Sequence, residues 1–209
     1  MGAFITMKNF IAGIMLAAAA ALFSAQSYAA DNPYEVANSV AAKTFDDLKA
    51  NKDRLTDPSV VNGIISSDLM PYVDIGYAAY KVIGTSLKDT TKDERDQFVA
   101  AFGDYLTRSM SSAIGKYTNQ ELVPSPVSQV SDSDKIVPVK FTVKTPGQAD
   151  TSFIIKMRKN TKTGQWKAFD VIAENVSILD SKQAELSPII KSKGIKAAIA
   201  ALEENKAGK

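Results

Sequence analysis

The chain of 209 residues contains no cysteine and no histidine, and these two absences restrict its chemistry more than any residue it does contain. Without thiolate or imidazole, the usual zinc and copper ligand sets cannot be assembled. Ser–His and Cys–His nucleophilic dyads are excluded for the same reason, so catalysis would have to run on Asp, Glu, Lys or Tyr. Disulfides are impossible, and so is anchoring through a lipid-bearing cysteine. A domain of this size needs no staple, because chains of roughly 150 residues or more bury about two-thirds of their unfolded surface. An excess of one charge is lacking too: 25 Lys and Arg face 23 Asp and Glu. A nucleic-acid binder would need a concentrated basic excess.

Long apolar runs are scarce. One extends from Phe10 to Phe23, behind Lys8 and ahead of the small-residue site Ser27-Tyr28-Ala29, and this is the layout of a secretory signal peptide. The run is too short and alanine-rich for a membrane span, which takes about 20 apolar residues. Cleavage after Ala29 is expected to leave residues 30–209 as a single soluble domain with 24 basic and 23 acidic residues. No internal repeat or second-domain linker interrupts it.

The remaining chain is organised around residues 150–177, DTSFIIKMRKNTKTGQWKAFDVIAENVS. Phe153, Ile155 and Met157 alternate with Ser152, Lys156 and Arg158, and after Lys162-Thr163-Gly164 a second period-two run extends from Trp166 to Ala173. This predicts a β-hairpin. Ile136 to Lys144 predicts a strand before it, with Val137, Val139, Phe141 and Val143 on one face. Residues 119–134, with their prolines and serines, suit an edge strand or an irregular connection. Helices are expected on either side. Asn32-Pro33 and Asp57-Pro58 are start signals, the first followed by a stripe of Val36, Ala37, Val40, Ala41, Phe45 and Leu48. Residues 72–84 read as a buried helix ending at Gly84, and Thr91 to Glu94 as a capping box opening the longest helix. Two more helices follow Ser177, with a pause at Gly194. The fold class is therefore α+β, with about four antiparallel strands.

Two carboxylates sit in apolar surroundings, Asp74 and Asp170. Each could be a general base with a pKa raised by burial, or could satisfy a backbone donor or a basic neighbour. Lys140, Lys144, Lys156 and Arg158 cluster on the polar side of the strands, either as a docking face for a partner or as a solvated surface protected from edge pairing. The aromatic stripe between residues 72 and 117 reads as core first and as a ligand wall second, since pattern alone does not separate a filled core from a hollow one.

Four blocks together resemble the periplasmic phospholipid-binding MlaC family, also called the Ttg2D toluene-tolerance family. They are MPYVDI with its downstream VIG within residues 70–84, T-x-x-E-R-D-Q-F-V-A-A-F-x-x-Y-L over 91–106, GQWKAFDVIAENVS over 164–177, and the helix pair around KSKG at 191–194. Leu87 and Met110 stand where the family often has aromatics. The resemblance implies an NTF2-like cone whose curved sheet and helices enclose an apolar pocket, with phospholipid as cargo and no cofactor, metal or catalytic residue. On that reading the pocket is expected from Tyr72, Val73, Ile75, Tyr80, Ile83, Phe98, Phe102, Tyr105, Leu106, Met110, Val143, Phe153, Ile155, Phe169 and Val171. The implied partners are an inner-membrane ABC transporter with an MCE-domain subunit and an outer-membrane lipoprotein and porin complex, met by a periplasmic monomer. The competing expectations are an enzyme on the same cone, using Asp74 or Asp170 with a tyrosine, and a binder of other apolar small molecules.

Overall fold

The computed structural model describes residues 32–115 and 117–204; the segment expected to be a signal peptide lies outside them. Helix α1 (Pro33–Ala50) begins where expected: the Asn32 side chain accepts from the Tyr34 N–H, and Pro33 takes the position where its missing N–H costs nothing. Asp57 and Pro58 open α2 (Pro58–Ile64) in the same way. A wider π turn, Ile65–Leu69, prolongs α2 until Pro71 stops it.

The helix expected over residues 72–84 starts three residues late. Asp74 caps α3 (Ile75–Ile83) by accepting from the Tyr77 N–H at 3.1 Å, so Tyr72 lies outside the helix. Gly84 ends it at φ +59°, where a Cβ would also come within 2.9 Å of Gln183 Nε2. Helix α4 (Lys92–Ile114) carries the reciprocal Thr91–Glu94 capping box. After the sheet, the Ser177 hydroxyl caps α5 (Ile178–Lys193), and α6 (Ile195–Glu204) follows Gly194.

The sheet is open and wholly antiparallel, in the order β1 (Glu121–Val123), β2 (Ile136–Lys144), β3 (Thr151–Lys159), β4 (Trp166–Ala173) and β5 (Val176–Ser177). The class is α+β. The fifth strand is only two residues long and is reached through a two-residue turn with Glu174 and Asn175 at φ 51° and 63°.

One irregularity divides the sheet's two faces. Ile155 pairs with Val171 and Lys156 with Asp170, but the next pair is Met157 with Ala168, so Phe169 has no cross-strand partner. This is a β-bulge, and it shifts the alternation by one residue. Ala168 and Val171 turn to one face, whereas Phe169 and Asp170 both turn to the other. There Phe169 joins a core made by α3 to α6, in which Ala79, Val82, Phe98, Leu186 and Ala198 are fully buried. Its ring meets Tyr77 edge-on at 5.1 Å. Asp170 accepts from the Leu179 N–H at 3.1 Å and the Ser177 hydroxyl at 2.8 Å, and pairs with Lys156 at 2.9 Å.

Asp170 is thus the joint between two strands and the start of α5. Its truncation strands both the Lys156 ammonium and a buried N–H. Removing one partner of a buried pair costs about 3 to 5 kcal/mol, and since Lys156 is partly solvated the lower figure applies. Urea unfolding of Asp170→Ala should show a loss of about 3 kcal/mol; a loss under about 1 would mean the joint carries little.

Candidate functional site

The opposite face of the sheet meets α1, and between them lies a cavity of about 480 Å³. Its wall has 22 residues and none is charged. Helix α1 contributes Val36, Ala37, Val40, Ala41, Thr44, Phe45 and Leu48. The sheet contributes Leu122, Val143, Phe153, Ile155, Met157, Ala168 and Val171; Leu69, Tyr72 and Val73 come from the α2–α3 connection. The end of α4 and the residues after it add Met110, Ala113, Ile114, Tyr117 and Gln120. The Thr44 hydroxyl donates to the Val40 carbonyl at 2.8 Å, so it offers little polarity to the cavity.

Of the pocket residues expected from the sequence, Tyr72, Val73, Met110, Val143, Phe153, Ile155 and Val171 stand on this wall. The others do not. Phe169 is turned away by the bulge. Ile83, Phe98 and Phe102 are buried in the α3–α6 core, with Ile75, Tyr105 and Leu106 packed against it, while Tyr80 is 38% exposed. The reason lies in the length of α4, about 34 Å at 1.5 Å per residue. Its first half packs in the helical core and only its last turns reach the cavity, although one apolar stripe runs through both. The contribution of α1 was missing from the expected site. Its signal was the stripe from Val36 to Leu48, rich in alanine and valine, which pattern alone assigns to packing.

The two carboxylates are structural in placement. Asp74 caps α3 and pairs with Arg158, whose guanidinium also lies 4.1 Å over the Tyr77 ring. Asp170 is the joint already described. Neither reaches the cavity wall. The same pairs engage two of the four basic residues considered for docking: Arg158 is held by the cap of α3 and Lys156 by Asp170 of β4, whereas Lys140 and Lys144 are exposed.

Helix α1 is fastened at its flanks. Asn38 exchanges two hydrogen bonds with the Ser125 backbone at 2.8 and 3.0 Å, and Asn32 donates to the Ser128 carbonyl at 2.9 Å. On the other side Lys43 reaches the buried Asp68 at 2.5 Å, and Ser67 donates to the same oxygen at 2.7 Å. Burial pushes the Asp68 pKa upwards, but the hydrogen bonds from Lys43 and Ser67 and the attraction of the Lys43 charge outweigh it. They hold the carboxyl below its ordinary range.

Fold and site together define an α+β protein with an uncharged cavity between a helix and one face of an open sheet. No helix among the described residues is long and apolar enough to cross a membrane. The family model described as MlaC protein matches residues 38–204, and the chain belongs to that family. It is similar to the intermembrane phospholipid transport system binding protein MlaC of Haemophilus influenzae, with 27% identity over 202 residues, 96% of this chain and 94% of that one. It is also similar to the toluene tolerance protein Ttg2D of Pseudomonas putida, with 23% identity over 160 residues, 76% and 73% of the two chains. Among solved structures, a phospholipid-binding protein from Ralstonia solanacearum in complex with a phospholipid has the same fold. Its TM-score is 0.73 at 16% identity, covering 83% of this chain and 96% of that one.

Two expected outcomes test this geometry. Phe169→Ala empties a filled site and should cost about 3 to 5 kcal/mol, whereas Val171→Ala, on the cavity wall, should cost about 1 or less. Equal losses in urea unfolding would contradict the division of faces at the bulge. Asp68 has a depressed folded pKa, so its contribution is complete above the unfolded value of roughly 3.9 and is lost as pH falls through the folded one. Asp68→Asn should therefore lower stability at neutral pH and flatten the acid limb of the stability curve below about pH 4. A parallel acid limb in wild type and variant would rule the pairing out as its source.

Proposed function

We propose that this chain is a periplasmic carrier that binds glycerophospholipid by its acyl chains in the cavity between α1 and the sheet. The observation that carries this reading is the wall itself, 22 residues without a charge around about 480 Å³. That volume falls within the roughly 300 to 1,000 Å³ of small-molecule sites. The names of the relatives support the same class of ligand: one is an intermembrane phospholipid transport binding protein, and the fold neighbour was solved with a phospholipid.

The physical need is plain. Two acyl chains with about 30 methylenes would cost about 24 kcal/mol to expose to water at roughly 0.8 kcal/mol each, so unaided crossing between membranes is prohibitive. A soluble carrier has only to bury that surface, and it needs no covalent chemistry. The wall offers none, since its polar groups are two tyrosines, a threonine and a glutamine. In this reading the carrier exchanges lipid with an inner-membrane ABC transporter bearing an MCE-domain subunit and with an outer-membrane lipoprotein and porin complex. That traffic would maintain the lipid asymmetry of the outer membrane. Lys140 and Lys144 are the exposed basic residues of the sheet available to such partners.

Organic-solvent extraction of the purified protein should release phospholipid in stoichiometric amount. Val171→Trp places a ring in the cavity, so lipid phosphorus per chain should fall while the melting temperature of the stripped protein holds or rises. Overpacking a filled core would instead cost about 1 to 3 kcal/mol. A variant that melts several degrees early with its full lipid load would contradict the carrier reading of this cavity.

A further inference from the structure

A separate depression, of about 280 Å³, lies in the helical layer, where the 3-10 turn Gly84–Asp89 and the start of α4 meet the joint between α5 and α6. It shares no residue with the wall of the large cavity. Two of its polar features lack a partner among the described residues. The first is the start of α6. Gly194 stands just before it at φ +83° and has no side chain to offer, so no cap accepts from the N–H groups of Ile195, Lys196 or Ala197. A Cβ on Gly194 would meet nothing within 4 Å, so no side chain covers this pole. The second is Ser86, which is 8% exposed and lines the depression; none of the hydrogen bonds among the described residues involves its hydroxyl. Buried hydroxyls are ordinarily paired, so an unpaired one facing a depression marks a place for a ligand atom.

Charges of both signs surround these groups. Asp89 and Glu94 line the depression with Lys191, two carboxylates against one ammonium. The Thr91 N–H and hydroxyl donate to Glu94 at 2.9 and 3.0 Å. These bonds, with a smaller contribution from the Lys196 charge, hold the Glu94 carboxyl below its ordinary range, so it is an anion at neutral pH. A free anion at the start of α6 would face that carboxylate excess. A free cation would leave the α6 N–H groups and Ser86 unpaired. A ligand carrying both charges satisfies the two sides together.

We propose that this depression binds a small aliphatic α-amino acid as its zwitterion, with the carboxylate at the start of α6, Ser86 and Lys191 and the ammonium between Asp89 and Glu94. A helix start with free N–H groups suits a carboxylate, and its dipole favours the negative charge. A primary ammonium brings three donors to the two acidic side chains, whereas a quaternary one brings none. Ile190 and Ile195, both buried, give the depression an apolar floor for the side chain of the ligand. This site is independent of the carrier reading, and occupancy of one cavity does not require the other.

The test titrates the isotope-labelled purified chain, with its lipid in place, with L-leucine and follows amide NMR shifts. Saturable shifts are expected at Ser86, Ile195 and Lys196 and none at Val40 or Val171, with a Kd of about 1 mM or tighter. Leucinamide, which lacks the carboxylate, and isocaproate, which lacks the ammonium, should each bind about tenfold more weakly or worse. Ser86→Ala should weaken leucine binding about fivefold, and Asp89→Asn and Lys191→Gln about threefold each, with unchanged melting temperatures. Absence of saturable shifts, or equal binding of leucinamide or isocaproate, would overturn the proposal. So would an unchanged Kd in Ser86→Ala. Tighter binding of O-phosphoethanolamine than of leucine would assign the depression to a lipid headgroup and overturn it as well. Phospholipid content should stay constant through the titration; its release by leucine would mean that the ligand enters the large cavity instead, against the proposal.

Discussion

A single unpaired residue in β4 sets the plan of this molecule. Because Phe169 has no cross-strand partner, the strand turns two successive side chains to the helical face and leaves two small ones, Ala168 and Val171, facing α1. A regular strand would have placed Phe169 beside Val171 and put a ring into the cavity. The bulge instead delivers that ring to the core of α3 to α6 and the neighbouring carboxylate to the first turn of α5. Filled core on one side and open space on the other thus have a common origin. Bulges re-aim side chains in this way wherever a sheet must serve two purposes.

The ionic residues follow the same division. Asp74 joins the cap of α3 to Arg158 on β3, and Asp170 joins Lys156 on β3 to the start of α5. Both pairs tie the sheet to helices, and both lie off the cavity wall. Such pairs gain little net energy over apolar replacements, but losing one partner is costly, so they specify how the layers meet. On the other face, α1 is held by polar contacts at its flanks, through Asn32, Asn38 and Lys43, while the cavity takes its apolar stripe. That stripe is only partly matched by packing partners, which is the condition for a helix to serve as the wall of a cavity.

An uncharged wall suits a cargo defined by hydrocarbon. Burial of apolar surface is non-directional and roughly proportional to area, so it holds acyl chains without reading their details. A chain without cysteine or histidine can carry out such a task fully, because it depends on shape and solvation rather than on bond-making.

The sequence by itself determined several element limits: the caps at Asn32, Asp57 and Thr91, the stops at Pro71, Gly84 and Gly194, and the alternation of β2 and β3. These are local effects, written within a few residues. The family was legible too, in the motif blocks. Which apolar residues face space and which face one another was decided only in three dimensions. The stripe of α4 is uniform, yet its ring pair Phe98 and Phe102 is buried among helices and Met110 is on the cavity wall, because different neighbours lie along its length. Arg158 and Asp74 are 84 residues apart, and nothing near either in sequence announces the pair. The bulge at Phe169 leaves an apolar run that reads as regular, since hydrophobic pattern reports that a residue avoids water but not from which side.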